Sequence, residues 1–216
     1  MISILLAVYN GEKYIDQSVN SIINQTFKDW ELLIGFNGTT DSSKDIVSSY
    51  NDDRIRTFDY KEDKGKAKTL NKLIKEARYN WCAIQDDDDI WLPEKLEKQF
   101  DQLNHYDIIG TLIAYIDEKN IYFGEPNLAT DHENIKTLSL AGINQIANSS
   151  AIFRKQDALD IGGWDESLDG IEDFDFWIKL LKKGYRFHNI SSKLVLHRIH
   201  HKSSFNTQQH DVSKIL

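Results

Sequence analysis

Residues 81–89 read WCAIQDDDD, so that a short apolar run passes directly into four consecutive aspartates. Such a run is typical of a strand that is buried on both faces of a parallel sheet. Residues 2–8, ISILLAV, have the same character and end at Tyr9-Asn10-Gly11, where a turn is expected. The two segments predict two central strands, over 2–8 and 81–85.

Strand-like and helix-like segments alternate between these two strands. Further strands are predicted over 30–36 and 55–58, and apolar residues recur at helical spacing within 15–23 and 70–77. Asp41 is predicted to cap the N-terminus of another helix. This alternation predicts an α/β fold with a mostly parallel central sheet flanked by helices, whose ligands bind beyond the carboxyl ends of the strands.

The second half of the chain is less regular. Strands are predicted over 108–116 and 147–154, a helix over 174–181, and the end of a strand over 194–199. Pro93 is expected in the first turn of a helix, where its missing N–H costs nothing. No linker rich in Gly, Pro or Ser separates the halves, so we expect a single domain.

The composition excludes several classes of protein. The 34 acidic residues outnumber the 26 Lys and Arg, and the formal net charge of −8 argues against sequence-independent nucleic-acid binding. The one cysteine, Cys82, excludes an internal disulfide framework and a Cys-based zinc site. No apolar run approaches the roughly 20 residues that span a bilayer, and the first residues lack the basic region of a signal peptide. We therefore expect a soluble cytoplasmic protein without a transmembrane segment.

The four aspartates at 86–89 are the strongest chemical feature of the sequence. Four carboxylates at one strand end repel one another and raise each other's pKa unless a cation lies among them. Mg²⁺ and Mn²⁺ prefer carboxylate oxygens and commonly bridge to substrate phosphates. The run predicts a divalent metal site, and the alternative is a solvated acidic loop that caps the helix near Pro93.

A second acidic cluster lies at 165–175. An EF-hand calcium loop that starts at Asp165 would need Glu at its closing position, where the chain has Phe176. Some of these acids can instead complement the dipole of the helix that follows. Glu172 and Asp173, however, stand where the apolar face of that helix begins, so at least one is predicted to face inward. A carboxylate held in a pocket can serve as general base for a hydroxyl.

A short basic cluster, HRIHHK, occupies residues 197–202. One of its histidines could complete a metal site, because imidazole also suits Mn²⁺, and the alternative is a surface or structural role. Other nucleotide-binding and hydrolase motifs are missing from the sequence. No Gly-x-Gly-x-x-Gly follows the first strand, and neither a P-loop nor a Gly-x-Ser-x-Gly elbow occurs.

A series of short motifs runs along about residues 2–204. The motifs are Ala7-Val8-Tyr9-Asn10-Gly11, Asn24-Gln25-Thr26-Phe27, Asn37-Gly38-Thr39-Thr40-Asp41, Lys64-Gly65, Asp86-Asp87-Asp88-Asp89-Ile90-Trp91, Gly162-Gly163-Trp164-Asp165-Glu166 and Glu172-Asp173. In this order they resemble the family 2 glycosyltransferases, which are inverting enzymes of the GT-A fold. The resemblance implies one glycosyltransferase domain over 1–216, with a nucleotide-sugar-binding half at about 1–105 and a smaller acceptor and catalytic-base half at about 106–216.

The resemblance also implies roles for individual residues. Those implied in donor binding are Ala7, Val8, Tyr9, Asn37, Lys64, Gly65, Asp86 and Asp87. Asp88 and His200 would hold Mn²⁺ or Mg²⁺, with Ser203 downstream, and Asp173 would be the catalytic base with Glu172 beside it. The implied reaction moves a sugar from a nucleoside-diphosphate sugar to a saccharide or lipid-linked saccharide, with peripheral membrane contact through that acceptor.

Two positions depart from the family pattern. The usual acidic pair before Gly38 is here Phe36-Asn37, and the position that usually holds Thr is Val8. Both changes touch nucleoside recognition, so the donor nucleoside stays open. The Gln-x-x-Arg-Trp motif of processive members is absent, which implies one sugar per encounter. The alternatives are a catalytically silent sugar-nucleotide-binding protein and a nucleotidyltransferase, which should carry a Gly-rich, basic first loop.

Overall fold

The computed structural model describes residues 1–61, 64–168, 170–201 and 215. Its strands are β1 Ile2–Val8, β2 Trp30–Phe36, β3 Ile55–Asp59, β4 Trp81–Asp86, β5 Ile90–Trp91, β6 Ile108–Ile116, β7 Tyr122–Gly124, β8 Ile152–Arg154 and β9 Phe187–Arg198. Its helices are α1 Ile15–Ile23, α2 Ser43–Ser48, α3 Lys66–Glu76, α4 Lys95–Phe100, α5 His132–Leu140, α6 Lys155–Asp160 and α7 Glu172–Lys182.

The described residues form one nine-stranded sheet in the order β3-β2-β1-β4-β8-β6-β9-β5, with β7 paired to β6. The strands β3, β2, β1 and β4 run parallel to one another. Because β8 is antiparallel to both β4 and β6, β6 and its parallel neighbour β9 point the same way as β4. The expected α/β fold with a mostly parallel sheet is confirmed, and both halves of the chain contribute strands to this sheet.

The register of the central strands brings three strand ends together. Ala7 pairs with Gly35 in β2 and with Asp86 in β4, and Val8 pairs with Phe36. The carboxyl ends of β1, β2 and β4 therefore lie side by side. This is the edge at which sheets of this kind bind their ligands.

Helices pack against both faces of the sheet, with a hydrophobic core on each side. One core includes Ile15, Val19 and Ile22 of α1, at the helical spacing that the sequence shows. The other includes α3 and α7 side chains, and there Trp164 stacks on Phe176 with ring centroids 4.4 Å apart. Fully burying one large apolar side chain contributes roughly 1.5–3 kcal/mol, so these helices, and the residues at their ends, are held firmly against the sheet.

The prediction of one strand over 147–154 is wrong in its first part. A 3₁₀ turn covers Asn148–Ser150, and only the end of the segment forms β8. Tertiary hydrogen bonds hold this turn, because the Trp91 indole N–H donates to the Ser149 carbonyl at 2.7 Å and the Gln99 amide donates to the Ser150 carbonyl at 2.8 Å. The local sequence pattern carries no information about these tertiary partners, so it could not predict the turn.

Two helix starts also differ from their predictions. The cap of α2 is Ser42, while the Asp41 carboxylate accepts a hydrogen bond from the Ser43 backbone N–H at 3.0 Å. Pro93 lies before Glu94, the cap of α4, and not in the first turn of that helix. The Asp41 side chain still stabilises the N-terminus of α2 through this bond, although the helix cap lies one residue after Asp41 and not at Asp41.

The sequence pattern does not predict β5, β7, α5 or α6. These elements have two to nine residues, and α5 buries only Ile135 and Ser139, so their periodic signal is weak. Within the described part of the chain, no helix has the length and apolar character needed to cross a membrane.

Candidate active site

A cleft of about 330 Å³ opens at the carboxyl edge of the sheet. Lys66 at the start of α3, Asp86 at the end of β4, and Glu172 and Asp173 at the start of α7 all line it. Parts of β6 and the segment 142–148 also contribute to the lining, as do Pro126, Leu128 and His197. Two acidic clusters that are far apart in the sequence therefore face one cavity.

Asp86 is held at the cleft by two side chains. Its carboxylate forms an ion pair with the Lys66 ammonium and accepts a hydrogen bond from the Asn148 amide at 3.1 Å. Asn148 belongs to the 3₁₀ turn, so the turn that replaces the predicted strand supplies a partner for Asp86. The Asp86 carboxylate is thereby fixed in place and charge-compensated.

Lys66 links the two acidic groups of the cleft electrostatically. Burial opposes its charge, but Asp86, Glu172 and Asp173 together raise the pKa of Lys66 above its usual value. A lysine at the first position of a helix is disfavoured by the helix dipole, so the carboxylates around it must offset that cost. Lys66 is a cleft-lining residue that the sequence analysis missed, one position after the predicted Lys64-Gly65.

Asp87 packs closely against the loop that follows β1. A Cβ atom on Gly11 would lie 2.2 Å from the Asp87 carboxylate oxygen, so a side chain at position 11 would force the Asp87 carboxylate to move. Burial first, and then the charges of Asp88 and Asp86, raise the pKa of Asp87 well above its usual value. A cation bound nearby would favour the ionised form of this carboxyl group.

Asp88 lies next to the predicted histidine. The Asp88 carboxylate oxygen is 3.0 Å from His200 Nε2, and both side chains are partly accessible, at 24% and 13% of their surface. The His200 ring also packs against Tyr14, with centroids 5.3 Å apart. The structure therefore brings together the two residues predicted to hold the metal ion.

Asp89 differs from its three neighbours because it is completely buried. Its carboxylate accepts hydrogen bonds from the Ser149 hydroxyl, from the Arg198 backbone N–H at 2.8 Å and from His197 Nδ1 at 3.0 Å. Burial lowers the pKa of His197, but the charge of Asp89 outweighs it and raises that pKa to about 9. Asp89 thus joins β9 to the end of β4, and His197 lines the cleft as a cation.

Arg198 is fully buried and connects several segments around Asp88. Its Nε donates to the Asp88 carbonyl at 2.9 Å, one terminal nitrogen donates to the Asp117 carbonyl at 3.0 Å, and the other donates to the Gln17 side chain at 2.9 Å. The guanidinium also lies 4.4 Å from the centre of the Tyr14 ring. These contacts hold the backbone of Asp88 in a fixed position.

Asp173 faces the cleft with Glu172 beside it. Burial, and then the charge of Glu172, raise the pKa of Asp173 to about 7, although Lys66 opposes this shift. The Asp173 carboxylate accepts hydrogen bonds from the Phe174 backbone N–H at 2.7 Å and from the Asn144 amide at 3.3 Å. Glu172 is only 6% exposed, and its Oε2 has no hydrogen-bond partner among the described residues.

The residues expected near the nucleoside base lie at the ends of β1 and β2. The Val8 side chain is buried in the core, and its carbonyl accepts hydrogen bonds from the Asn37 backbone N–H at 3.1 Å and the Thr39 hydroxyl at 2.9 Å. Ala7 is partly buried, and Tyr9 is largely exposed. Asn37 is 4% exposed, and its side-chain oxygen is without a partner in the part of the chain that the structure describes.

Some predicted site residues do not line the cleft. Lys64 and Gly65 are exposed on the loop before α3, and Gly65 has a φ of 112°, a conformation that favours glycine. Asp87, Asp88 and His200 lie next to the cleft and not among its lining residues. Ser203 lies outside the described residues.

The sequence model of the family described as "Glycosyl transferase family 2" matches residues 3–161 of this chain. The chain belongs to this family. The match covers β1 to β8 and includes Asp86–Asp89 but ends before Asp173, and the resemblance seen in the motifs is confirmed at the level of the family.

Curated relatives of this family 2 glycosyltransferase carry related names. The chain is 32% identical to the O-antigen biosynthesis glycosyltransferase WbnJ of Escherichia coli, over 94% of this chain and 82% of that protein. It is 29% identical to the uncharacterized glycosyltransferase MJ1057 of Methanocaldococcus jannaschii, over 95% of this chain and 73% of that protein. The chain is therefore a glycosyltransferase.

Solved structures share its fold. TarS 1–349 of S. aureus, in complex with UDP-GlcNAc, superposes with a TM-score of 0.80 at 20% identity, over 99% of this chain and 63% of that one. The mannosyltransferase PcManGT of Pyrobaculum calidifontis, in complex with GDP-Man and Mn²⁺, gives a TM-score of 0.74 at 17% identity, over 94% of this chain and 58% of that one. The chain thus spans about three fifths of these proteins.

Several residues that line this cleft lay outside the sequence predictions. They are Lys66, Tyr115, Asn144 and Asn148, whereas His197 was predicted only as one of the histidines of 197–202 that could complete a metal site. A usable signal existed for Lys66, because a basic residue opens a helix that has no acid in its first turn, against the dipole preference. Asn144 and Asn148 gave no such signal, since asparagine is common in turns.

The donor atoms around Asp88 fit a divalent ion. A carboxylate oxygen and an imidazole nitrogen converge there, and both types of ligand suit Mn²⁺. No group of three or more His, Cys, Asp or Glu side chains arranged to hold a metal ion occurs in residues 1–61, 64–168, 170–201 and 215. A metal ion at this position would take its remaining ligands from substrate phosphates and water, as Mg²⁺ commonly does.

Proposed function

We propose that this glycosyltransferase moves one sugar per encounter from a nucleoside-diphosphate sugar to an acceptor hydroxyl, with inversion at the anomeric carbon. The observation that carries the proposal is the shared cleft, in which Asp86, held by Lys66, faces the same cavity as Asp173. Donor and acceptor can meet in this cavity only if the donor lies on the Asp86 side and the attacking hydroxyl lies beside Asp173.

Asp173 is the proposed general base. An acceptor hydroxyl is a weak nucleophile until a base takes its proton during attack. A pKa of about 7 suits this role, because at neutral pH a large fraction of Asp173 is ionised and each carboxylate is basic enough to accept a proton. The Asn144 amide and the Phe174 backbone N–H orient the carboxylate. Glu172 sustains the raised pKa of Asp173 through its charge.

Asp88 and His200 are the residues proposed to hold Mn²⁺ or Mg²⁺. Such an ion, when bound, supplies Lewis-acid stabilisation of the negative charge that develops on the departing diphosphate. Lys66 and protonated His197 add fixed positive charge along the cleft, where it favours the same anionic leaving group. Arg198 keeps the backbone of Asp88 in position through its bond to the Asp88 carbonyl.

The relatives support a nucleotide-sugar donor and a saccharide acceptor. TarS 1–349 is described in complex with UDP-GlcNAc and PcManGT with GDP-Man and Mn²⁺, and WbnJ is named for O-antigen biosynthesis. By analogy we assign this chain to polysaccharide biosynthesis, with a saccharide or lipid-linked saccharide as acceptor. A lipid-linked acceptor would bring the enzyme to a membrane surface without a transmembrane helix.

The nucleoside of the donor depends on Asn37. Its buried side-chain oxygen can accept a hydrogen bond from a base N–H, and its amide nitrogen can donate to a base carbonyl. Val8 cannot add a hydroxyl contact, because its side chain carries no hydroxyl group, and that side chain is buried in the core. We propose recognition of the base edge by an amide in place of the carboxylate that is usual in the family.

Calorimetry with a panel of UDP-, GDP-, CDP- and dTDP-sugars, with Mn²⁺, with Mg²⁺ and with EDTA, tests this function. We expect one nucleoside class to bind in a metal-dependent manner and to be hydrolysed slowly in the absence of acceptor. Binding by none of the donors would refute the proposal. Binding without any turnover would favour a silent sugar-nucleotide-binding protein, and diphosphate release from a nucleoside triphosphate would favour a nucleotidyltransferase.

A further inference from the structure

Three consecutive apolar side chains are exposed beside the cleft. Ile121, Tyr122 and Phe123, here called the β7 strip, are each more than half exposed, at 59%, 57% and 55%. Scattered exposed apolar residues are common, but a contiguous exposed group usually marks a binding surface. The cleft chemistry described above does not use the β7 strip.

The β7 strip is continuous with the wall of the cleft. Phe123 stacks on Tyr115 with ring centroids 5.9 Å apart and an angle of 21° between the rings. Tyr115 lines the cleft and lies against the ring of His197. An unbroken aromatic surface therefore runs from the cavity that contains Asp173 to the outside of the protein.

Another exposed apolar side chain lies on a different part of the cleft rim, outside the β7 strip. Ile143 is 54% exposed and lies between Gly142 and Asn144, which both line the cleft. Asn144 also donates to the Asp173 carboxylate. An acceptor whose hydroxyl reaches Asp173 must extend out of the cleft across this rim, where exposed apolar side chains can contact the rest of the molecule.

We propose that the β7 strip binds the saccharide of the acceptor, with Phe123 stacking on the apolar face of a sugar ring outside the ring that is glycosylated. This proposal rests on the proposed function. Aromatic rings offer a large, flat apolar area that suits the C–H face of a pyranose. Polar side chains stand beside the rings: Glu125 accepts a hydrogen bond from the Tyr122 hydroxyl at 3.0 Å and forms an ion pair with Lys193. These groups are placed to form hydrogen bonds with sugar hydroxyls.

The charges around the β7 strip favour a saccharide over a bilayer. Glu118 pairs with Lys13 and Glu125 pairs with Lys193, and the positive charge of Lys119 stands two residues from the negative charge of Asp117, whose carboxylate accepts a hydrogen bond from the Lys119 backbone N–H at 2.8 Å. Among the residues that the structure describes, the strip thus has no excess of positive charge that would attract anionic lipids, and the whole chain carries a formal net charge of −8. Peripheral membrane binding generally needs such an attraction in addition to a few inserted apolar residues.

The test uses an array of immobilised bacterial oligosaccharides, probed with the labelled full chain. We expect retention on a subset of glycans, a loss of about ten-fold for Phe123→Ala, a similar loss for Phe123→Leu, and retention close to wild type for Phe123→Tyr. The leucine and tyrosine variants separate ring stacking from general apolarity. Phe100→Ala is the matched control, because Phe100 is also exposed and also packs on an aromatic ring, but that ring belongs to Phe27, which, unlike Tyr115, does not line the cleft.

Three results would overturn the proposal. The first is equal retention of wild type and Phe123→Ala. The second is no retention of the wild type on any glycan although it hydrolyses a donor, in which case the proposed function stands without this acceptor surface. The third is Phe123-dependent sedimentation with vesicles of phosphatidylethanolamine and phosphatidylglycerol, without glycan binding, which would assign the strip to a membrane. Failure to bind or hydrolyse any nucleotide sugar would remove the proposed function and this inference together.

Discussion

The aspartates at 86–89 and the pair Glu172-Asp173 are both acidic clusters, but the fold treats them differently. In the run at a strand end, successive side chains point in different directions, and each finds its own partner: Lys66, the Gly11 loop, His200 and the His197–Arg198 segment. At the start of α7 the two carboxyl groups remain close together, and Glu172 helps to raise the pKa of Asp173. Backbone geometry therefore decides whether neighbouring acids act separately or as a pair.

The largest expected effect is a loss of turnover on substitution within the pair Glu172-Asp173. Asp173→Asn removes the proton acceptor while it preserves shape, so we expect turnover to fall about 10³-fold, within the usual range for a lost general base. Donor affinity by calorimetry should stay nearly unchanged. Asp175→Asn, on the same helix and ion-paired with Lys179, is the control. A large loss of donor affinity in Asp173→Asn would instead place Asp173 at the donor or the metal.

The second largest expected effect is a loss of stability on substitution within the run of aspartates at 86–89. Asp89→Asn removes a fully buried carboxylate and leaves cationic His197 without its charge partner, so we expect the free energy of unfolding in urea to fall by about 3 kcal/mol. Asp88→Asn, at the neighbouring and partly exposed position, should change it far less. Equal destabilisation by the two variants would contradict the structural role assigned to Asp89.

Asp88→Ala tests whether Asp88 binds the metal ion, in contrast to the structural role of Asp89 in the same run. We expect donor affinity in Mn²⁺ to fall about 10- to 100-fold, the usual range for residues around metal sites, down to the value that wild type shows in EDTA. The exposed Asp101→Ala serves as control. If Asp88→Ala kept the Mn²⁺ dependence of wild type, the ligand would have to be another residue.

The smallest effect is a shift in pH dependence. Because the base must be ionised, kcat/KM should rise with pH through the pKa of Asp173, about 7. Glu172→Gln removes a negative charge that raises this pKa, so the rise should move to lower pH by about one unit. Lys66→Met removes a positive charge and should move it to higher pH. An unchanged profile in both variants would show that a different group titrates.

The sequence predicted the strands of the first half of the chain, β1 to β4, well, because their apolar runs are continuous and end at turns. It also predicted Asp86, Asp88, His200 and Asp173 as candidate site residues, because the acidic clusters stand out at strand and helix ends and the family resemblance implied His200. It did not predict the turn at 148–150 or the roles of Lys66 and Asn144. Each of these depends on a partner from another segment, such as the bond from Asn148 to Asp86.

By itself, the sequence determined the order of strands and helices from β1 to β4, the family, and the positions at which acids cluster, because these follow from local periodicity and motif spacing. Only the tertiary structure decided which aspartate is structural and which is available to a ligand. The four side chains of 86–89 are chemically identical, and their burial, charge and partners are set by α3, β9 and the 3₁₀ turn, which the sheet brings to one edge.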